Sequence, residues 1–449
     1  MANATPRPDS SAVSLLSAQE QKHLETIFKS ALTNTDKQLV MKEDGTAYVQ
    51  TGDIPAEWLR DSSAQMRPYL FFVKDDKEAA NKLKAVIERQ ALYMAIDPYA
   101  NAFRDDFTIW ERKFELDSLS YPILLAWTYW KVTGDASIFT PAVKTAFDRA
   151  VETMIAEQRH DDATSTYAHH ELKKNPVGYT GMIWSAFRPS DDACQYHYLI
   201  PSQMQAVQAL TALEEMETIM GRPDRVARAQ KLKTEVQAGI EKYGVVNHPK
   251  YGRIYAYEVD GRGNANLMDD ANLPSLLSIP YFGYKSEEDE VYKATRRFVL
   301  SKDNPYFYSG RFKGQEIYGV GSPHTPLWAS FKKPLRLIFS KICHPFKKTG
   351  MVWPLAQLAQ GLTTKDKKEQ AKVLRMLIAS DPGDNRLHES YLVDNPKVFT
   401  RPDFGWPNSL LAEFMLTTVQ GRPPLPVPPP PAPLQTAAHN KKPPPKNSL

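Results

Sequence analysis

The chain has 449 residues, 42% of them hydrophobic and 24% charged, an ordinary globular profile with room for one large helical domain or two smaller ones. There is no apolar run of about 18 residues to span a membrane and no basic-then-apolar leader, so as it stands the sequence reads as cytoplasmic, and two cysteines, Cys194 and Cys343, are too few for a disulfide framework or a thiolate zinc site. The net charge of +4 conceals an acidic body: residues 327–349 carry six Lys/Arg and the stretch from Arg422 onward four, with no acid in either, so the remainder has the wrong sign for nucleic acid.

Residues 1–14 read as a disordered N-terminus. From 15 to 420 two kinds of segment alternate. The first kind, at 18–38, 78–96, 137–158, 222–243, 286–302 and 365–380, carries apolar residues at i, i+3, i+4 spacing with Lys, Glu and Arg between them. Leu24, Ile27, Phe28 and Leu32 show the pattern, which predicts surface helices. The second kind, at 58–72, 114–130, 188–210, 268–282, 350–362 and 404–416, opens with an acidic or aromatic loop, usually with a proline, and runs into an apolar helix poor in charge. Helices apolar nearly all round are buried. The corner positions Asp61, Asp117, Asp192, Asp270, Pro354 and Pro407 recur at roughly 50–85 residues, wider than the TPR or HEAT periods of about 34–47. Six outer and six inner helices in alternation predict an all-α (α/α)6 toroid. YAYEVDGRGN, residues 255–264, is read as a small β-hairpin excursion outside the ring. From 421 to 449 the chain holds eleven prolines and almost no large apolar residue, and is read as a disordered tail.

Such a ring turns the N-termini of its inner helices onto one face, where the corner loops converge on a pocket. They bring Asp61, Asp117, Asp191, Asp192, Asp269, Asp270, Glu389 and Asp403, together with most of the eight tryptophans. Hydrolysis of a sugar acetal needs one carboxylic acid to protonate the leaving oxygen and a second carboxylate to activate water or attack carbon. For any single acid a helix N-cap is an equally good account, as for Asp61 before Ser-Ser or Asp270 before Ala-Asn. The adjacent pairs Asp191-Asp192 and Asp269-Asp270 are harder to explain that way, since neighbouring carboxylates raise each other's pKa. The ten histidines form no HExxH or HxH, and the cluster His169-His170-Glu171 lies in a polar stretch outside the corner loops. No metal or cofactor is expected.

The segments TGDIPAEWLRDSSAQMRPYL, WERKFELDSLSYP, FRPSDDACQYHYLIPSQM, MDDANLPSLL, YSGRFKGQEIYGVGSPHT, MVWPLAQLAQGLT and LHESYLVDNPKVFTRPDFGWPNSLLAEF resemble glycoside hydrolase family 125, metal-independent exo-α-1,6-mannosidases of (α/α)6 fold. The resemblance spans residues 15–420 and implies an inverting enzyme that releases terminal α-1,6-linked mannose from a glycan. A monomer is expected. It implies a general base at Glu389 in LHESY and a general acid in RPSDDAC, taken as Asp192 with Asp191 as the alternative. WLRD implies sugar contacts from Arg60 and Asp61, and SPHT one from His324. Asp117, Arg188, Asp269, Asp270, Trp353 and Trp406 are further candidates for the pocket wall. The competing readings are a glucoamylase- or trehalase-like hydrolase on the same toroid, or an inactive glycan-binding relative. Residues 327–349 interrupt the likeness between His324 and Trp353 and are read as a retained intron rather than a loop of the family.

Overall fold

The structure, a computed structural model, describes residues 12–161, 165–170, 172, 175–324 and 350–434. The predicted insert at 327–349 and Glu171 lie outside them.

The outer helices are α1 (Ala18–Gln38), α3 (Lys77–Ile96), α5 (Pro141–Glu157), α7 (Pro223–Tyr243), α8 (Glu290–Val299) and α10 (Lys367–Ser380). The inner ones are α2 (Leu59–Met66), α4 (Leu116–Thr133), α6 (Ile200–Ile219), α9 (Pro354–Leu362) and α11 (Gly405–Phe414). Around the ring α4 packs on α2 and α6, and α11 packs on α2 and α9. The sixth inner position is a correction to the predicted helix at 268–282. That segment is a series of turns, with Pro274 and Pro280 depriving it of two backbone donors. It is nonetheless packed: Tyr121 and Tyr292 donate to the Leu273 and Leu277 carbonyls, at 3.3 and 2.9 Å.

The two sets of helices begin differently. Five of the six outer helices have a side-chain N-cap, from Ser17, Asp76, Thr140, Asp289 and Asp366, and Ser17 forms a reciprocal capping box with Glu20. The five inner helices follow Trp58, Glu115, Leu199, Trp353 and Phe404, and none of these caps through its side chain. Their first-turn donors are turned toward the corner loops rather than closed off locally.

Short strand pairs decorate the corners. Glu258–Val259 pairs with Ala265–Asn266, which is the predicted hairpin, but Val259 also pairs with Tyr198, so the hairpin is stitched to the entry of α6 rather than standing outside the ring. Phe307–Phe312 pairs with Gln315–Val320, and Ser390–Leu392 bridges Met351–Val352 and Asn395–Thr400.

Near the two ends, residues 12–14 and 421–434 are more ordered than the sequence suggests. Residues Ala12–Leu15 form a 3₁₀ turn with Ala12 and Val13 buried, inside the stretch predicted as disordered. Residues 421–434 contain no helix or strand but lie against the ring. Arg422 donates to the Phe71 carbonyl at 2.8 Å, Leu425 is buried, and Gln208 and Gln237 donate to the carbonyls of Pro428 and Ala432 at 2.8 and 2.7 Å. A proline has no N–H to offer but keeps its carbonyl, and through that of Pro428, with that of Ala432 beyond it, the segment is held to the ring.

Candidate active site

The corner loops converge on a cleft of about 390 Å³, open mouth included, lined by Thr51, Ile54, Trp58, Arg60, Asp61, Pro189, Ser190, Asp191, Asn272, His324, Trp353, Glu389, Arg401, Phe404 and Trp406. Of the residues predicted from sequence, Arg60, Asp61, Asp191, His324, Trp353, Glu389 and Trp406 line it. Asp117, Arg188, Asp192, Asp269 and Asp270 are not among its lining residues.

Arg60 organises the first side. It lies in the first turn of α2 with only 4% of its side chain exposed. Its Nη1 donates to Glu115 Oε2 at 2.6 Å and to Asp117 Oδ2 at 3.2 Å, Nε sits 3.2 Å from Asp61 Oδ2, and Nη2 is 3.8 Å from Asp191 Oδ1. Four carboxyls around one guanidinium cannot all stay ionised in a buried site. Burial pushes Asp61 and Asp117 up to about 6 and Glu115 well above its usual range, with Arg60 opposing each shift. The N-cap reading of Asp61 is overturned, because it is the third residue of α2 and caps nothing.

The adjacent pair Asp191-Asp192 splits. Asp191 has φ +63°, in the left-handed region that Asp tolerates better than most residues, and it lines the cleft. Asp192 is instead held by donors: Ser190 Oγ at 3.3 Å, Ser322 Oγ at 3.4 Å and His324 Nδ1 at 3.0 Å from its Oδ2. Burial works against a charged His324, but the hydrogen bond and charge of Asp192, with Asp270 and Glu389 adding, push it up to about 9. Ser190 also donates to Asp270 Oδ2 at 2.5 Å, so the loop is pinned on the side away from Asp191.

Of the other pair, Asp269 has partners in its own segment. Asp269 accepts from the Leu276 and Leu277 amides at 2.8 and 3.0 Å and so anchors the turns that replace the sixth inner helix. Arg188 makes a two-pronged bond to Glu258, at 2.6 and 3.1 Å, which ties the RPSDD loop to the hairpin.

Across the cleft, Glu389 is held beside Arg401, whose Nη1 lies 3.7 Å from Oε1. Burial raises Glu389 above the ordinary carboxylate range, while Arg401, Thr400 and His324 counter it. Arg401 is fixed from behind by Asp53 at 2.8 Å and by donation to the Thr51 carbonyl at 2.9 Å. Sequence reasoning missed Glu115 and Arg401. Arg401 could have been found from the strand pair, since Ser390 opposes Thr400 and so brings the next residue beside Glu389. Trp353 and Trp406 form the apolar wall, with His324 edge-on to Trp353 at 5.8 Å and Arg60 5.5 Å from the Trp406 ring. Trp110 and Trp184 are elsewhere: Trp110 lies under Arg104, and Trp184 is stacked between His160 and His197. Among the described residues no group of three or more His, Cys, Asp or Glu is arranged to hold a metal ion, and no helix is long and apolar enough to cross a membrane.

A helical ring with an acid-bearing, tryptophan-walled cleft at the N-terminal ends of its inner helices is the design of an (α/α)6 glycoside hydrolase. The fold is shared with a bacterial glucoamylase solved with acarbose (11% identity, TM-score 0.61, covering 91% of this chain and 59% of that one). The chain belongs to glycoside hydrolase family 125, the metal-independent alpha-mannosidases, whose family model matches residues 21–336 and 335–416. It is similar to a metal-independent alpha mannosidase of Streptococcus pneumoniae, solved in a non-productive substrate complex with alpha-1,6-mannobiose, at 38% identity and TM-score 0.81 over 92% of this chain and 97% of that one. It is also 35% identical to the meiotically up-regulated gene 157 protein of Schizosaccharomyces pombe, over 90% of this chain and 84% of that protein.

Proposed function

We propose that the protein is an inverting, exo-acting α-mannosidase that removes terminal α-1,6-linked mannose from a glycan, with Glu389 as general base and Asp191 as general acid. The observation that carries the proposal is that Asp191 and Glu389 line one cleft together with Trp353, Trp406 and Arg60. The general acid moves from Asp192, favoured by sequence, to its neighbour, because Asp192 is engaged by His324, Ser322 and Ser190 while Asp191 faces the cleft. The α-1,6 linkage is carried over from the mannobiose bound to the pneumococcal relative.

In this reading Asp191 passes a proton to the glycosidic oxygen as its bond to the anomeric carbon breaks. Glu389 takes a proton from the water attacking the opposite face, and the product is β-mannose. Proton NMR of the first turnovers on an α-1,6-mannobiose tests the stereochemistry: α-mannose appearing first would refute inversion. Equal cleavage of α-glucosides would refute the mannoside reading. Asp191→Asn is expected to lose disaccharide hydrolysis by about 10²-fold or more, the usual worth of a general acid. Asp192→Asn should retain the larger share, and the reverse order would return the role to Asp192.

A further inference from the structure

Behind Asp191 lies a carboxyl that the reaction above does not use. Glu115 immediately precedes α4 and is fully buried. Its Oε2 is well supplied, accepting from Arg60 Nη1 at 2.6 Å and from Ser118 Oγ at 3.1 Å. Its Oε1 is buried and, among the described residues, receives no donor. The same is true of Oδ1 of Asp191, 3.8 Å from the other arm of the same guanidinium. The two carboxyls are within hydrogen-bonding reach of each other. Two carboxylate oxygens cannot satisfy one another, since both only accept, but a carboxylic acid and a carboxylate can.

We propose that Glu115 and Asp191 hold one proton between their facing oxygens, and that Glu115 is the positioning residue that keeps the general acid supplied with it. The inference rests on the assignment of Asp191 as that acid. It answers a difficulty in that assignment. Burial alone would raise Asp191, but Arg60, the hydrogen bond to Glu115, Lys113 and His324 together hold it below the usual carboxylate range, so a lone Asp191 would have no proton to give. Burial drives Glu115 the other way, with Asp191 and Asp117 reinforcing it against Arg60. The proton therefore rests on the Glu115 side between turnovers. The charged and titratable groups facing the pair are Arg60 and Asp61 from α2, Asp117 from α4, Lys113 from the loop before it, His324 from the loop after the long strand pair, and Glu389 across the cleft.

The proton count closes. The pair begins with one proton, which passes through Asp191 to the glycosidic oxygen as the carbon–oxygen bond breaks, leaving both carboxyls ionised. The attacking water gives its proton to Glu389 as the new carbon–oxygen bond forms. After release Glu389 loses that proton to solvent and the pair regains one.

Glu115→Gln preserves shape but donates an amide N–H to Asp191, which fixes Asp191 as a carboxylate. Turnover of an α-1,6-linked disaccharide should fall about tenfold or more, and the basic limb of its kcat/KM profile should move down by about one pH unit or more. A dinitrophenyl mannoside, whose leaving group needs no proton, should keep its kcat within about threefold. A merely structural Glu115 would depress both substrates alike and leave the limb in place, which would overturn the proposal. Asp191→Asn separates the two readings. If it cleaves the disaccharide normally, the acid assignment falls and this inference with it. If it fails on the disaccharide only, while Glu115→Gln shifts neither limb nor substrate ratio, the shared proton alone is refuted. Neutron diffraction from wild-type crystals needs no variant to fold: one deuteron between Glu115 Oε1 and Asp191 Oδ1 is expected, and two bare oxygens, or a water between them, would overturn it.

Discussion

Removing the cation beside Glu389, the proposed general base, is the sharpest test of the cleft's electrostatics. Arg401→Met keeps much of the side chain's reach while deleting its charge. The guanidinium stands 3.7 Å from Glu389, with 21% and 14% of the two side chains exposed. Two unit charges at about 4 Å interact by about 4 kcal/mol at an effective dielectric of about 20. Much of that is already spent, because Asp53 holds the same guanidinium at 2.8 Å. Retaining roughly a third leaves about 1.4 kcal/mol, or about one pH unit. The sign is fixed: a cation favours the ionised carboxylate, so deleting it raises Glu389 further above its usual range. A general base must be ionised, so the acid limb of kcat/KM should move up by about one pH unit, with the plateau at higher pH much less affected. An acid limb that stays in place or moves down would refute the idea that Arg401 keeps Glu389 ionised.

Three further outcomes follow from described contacts. Asp192→Asn should bring His324 down from about 9 to its ordinary value or below, because burial is then opposed only by more distant acids; histidine NMR through the titration reads this. In the parent, His324 contributes stability fully present below about 6.5 and lost as pH rises through about 9, a slope that Asp192→Asn should flatten. Arg67 makes a two-pronged bond to Glu413 at 2.9 and 2.8 Å, with Tyr281 donating to the same carboxylate at 2.8 Å, so Arg67→Met should cost about 3–5 kcal/mol by leaving a buried charge unpaired. Arg67→Met with Glu413→Gln should recover most of it in a denaturant titration. Ending the chain at Gly421 removes the hydrogen bonds at Arg422, Pro428 and Ala432 and the buried Leu425, and should lower stability by about 1–3 kcal/mol after the entropy of freeing the segment is set against them.

The outer helices were legible because each carries its own evidence: an amphipathic period and, in five of six, a capping side chain. Residues 18–38 were predicted and α1 spans the same residues. The fourth inner segment was misread because an apolar run bounded by an acid looks like a buried helix, while Pro274 and Pro280 decide otherwise. For residues 421–434 of the proline-rich tail the difference runs in the opposite direction. Composition reports what a segment can bury by itself, not which glutamines on another helix will reach its carbonyls. The choice between Asp191 and Asp192 as the proposed acid lay at the limit of sequence reading, since they differ by one position, with a left-handed φ at Asp191, and have different partners. Glu115 was hidden beside Asp117, whose place at the start of an inner helix drew the attention instead.

The contrast in helix beginnings also sets how this protein can be altered. An outer helix ends its own polar needs with one serine, threonine or aspartate, so its surroundings can drift without exposing unmet donors. An inner helix leaves that need to neighbouring loops, water or a bound sugar. Installing serine at Trp353 or Phe404 would follow every rule for a sturdier helix and remove an aromatic side chain from the cleft wall. Robustness and recognition are thus assigned to opposite layers of one ring, and attempts to harden the fold belong on the outside.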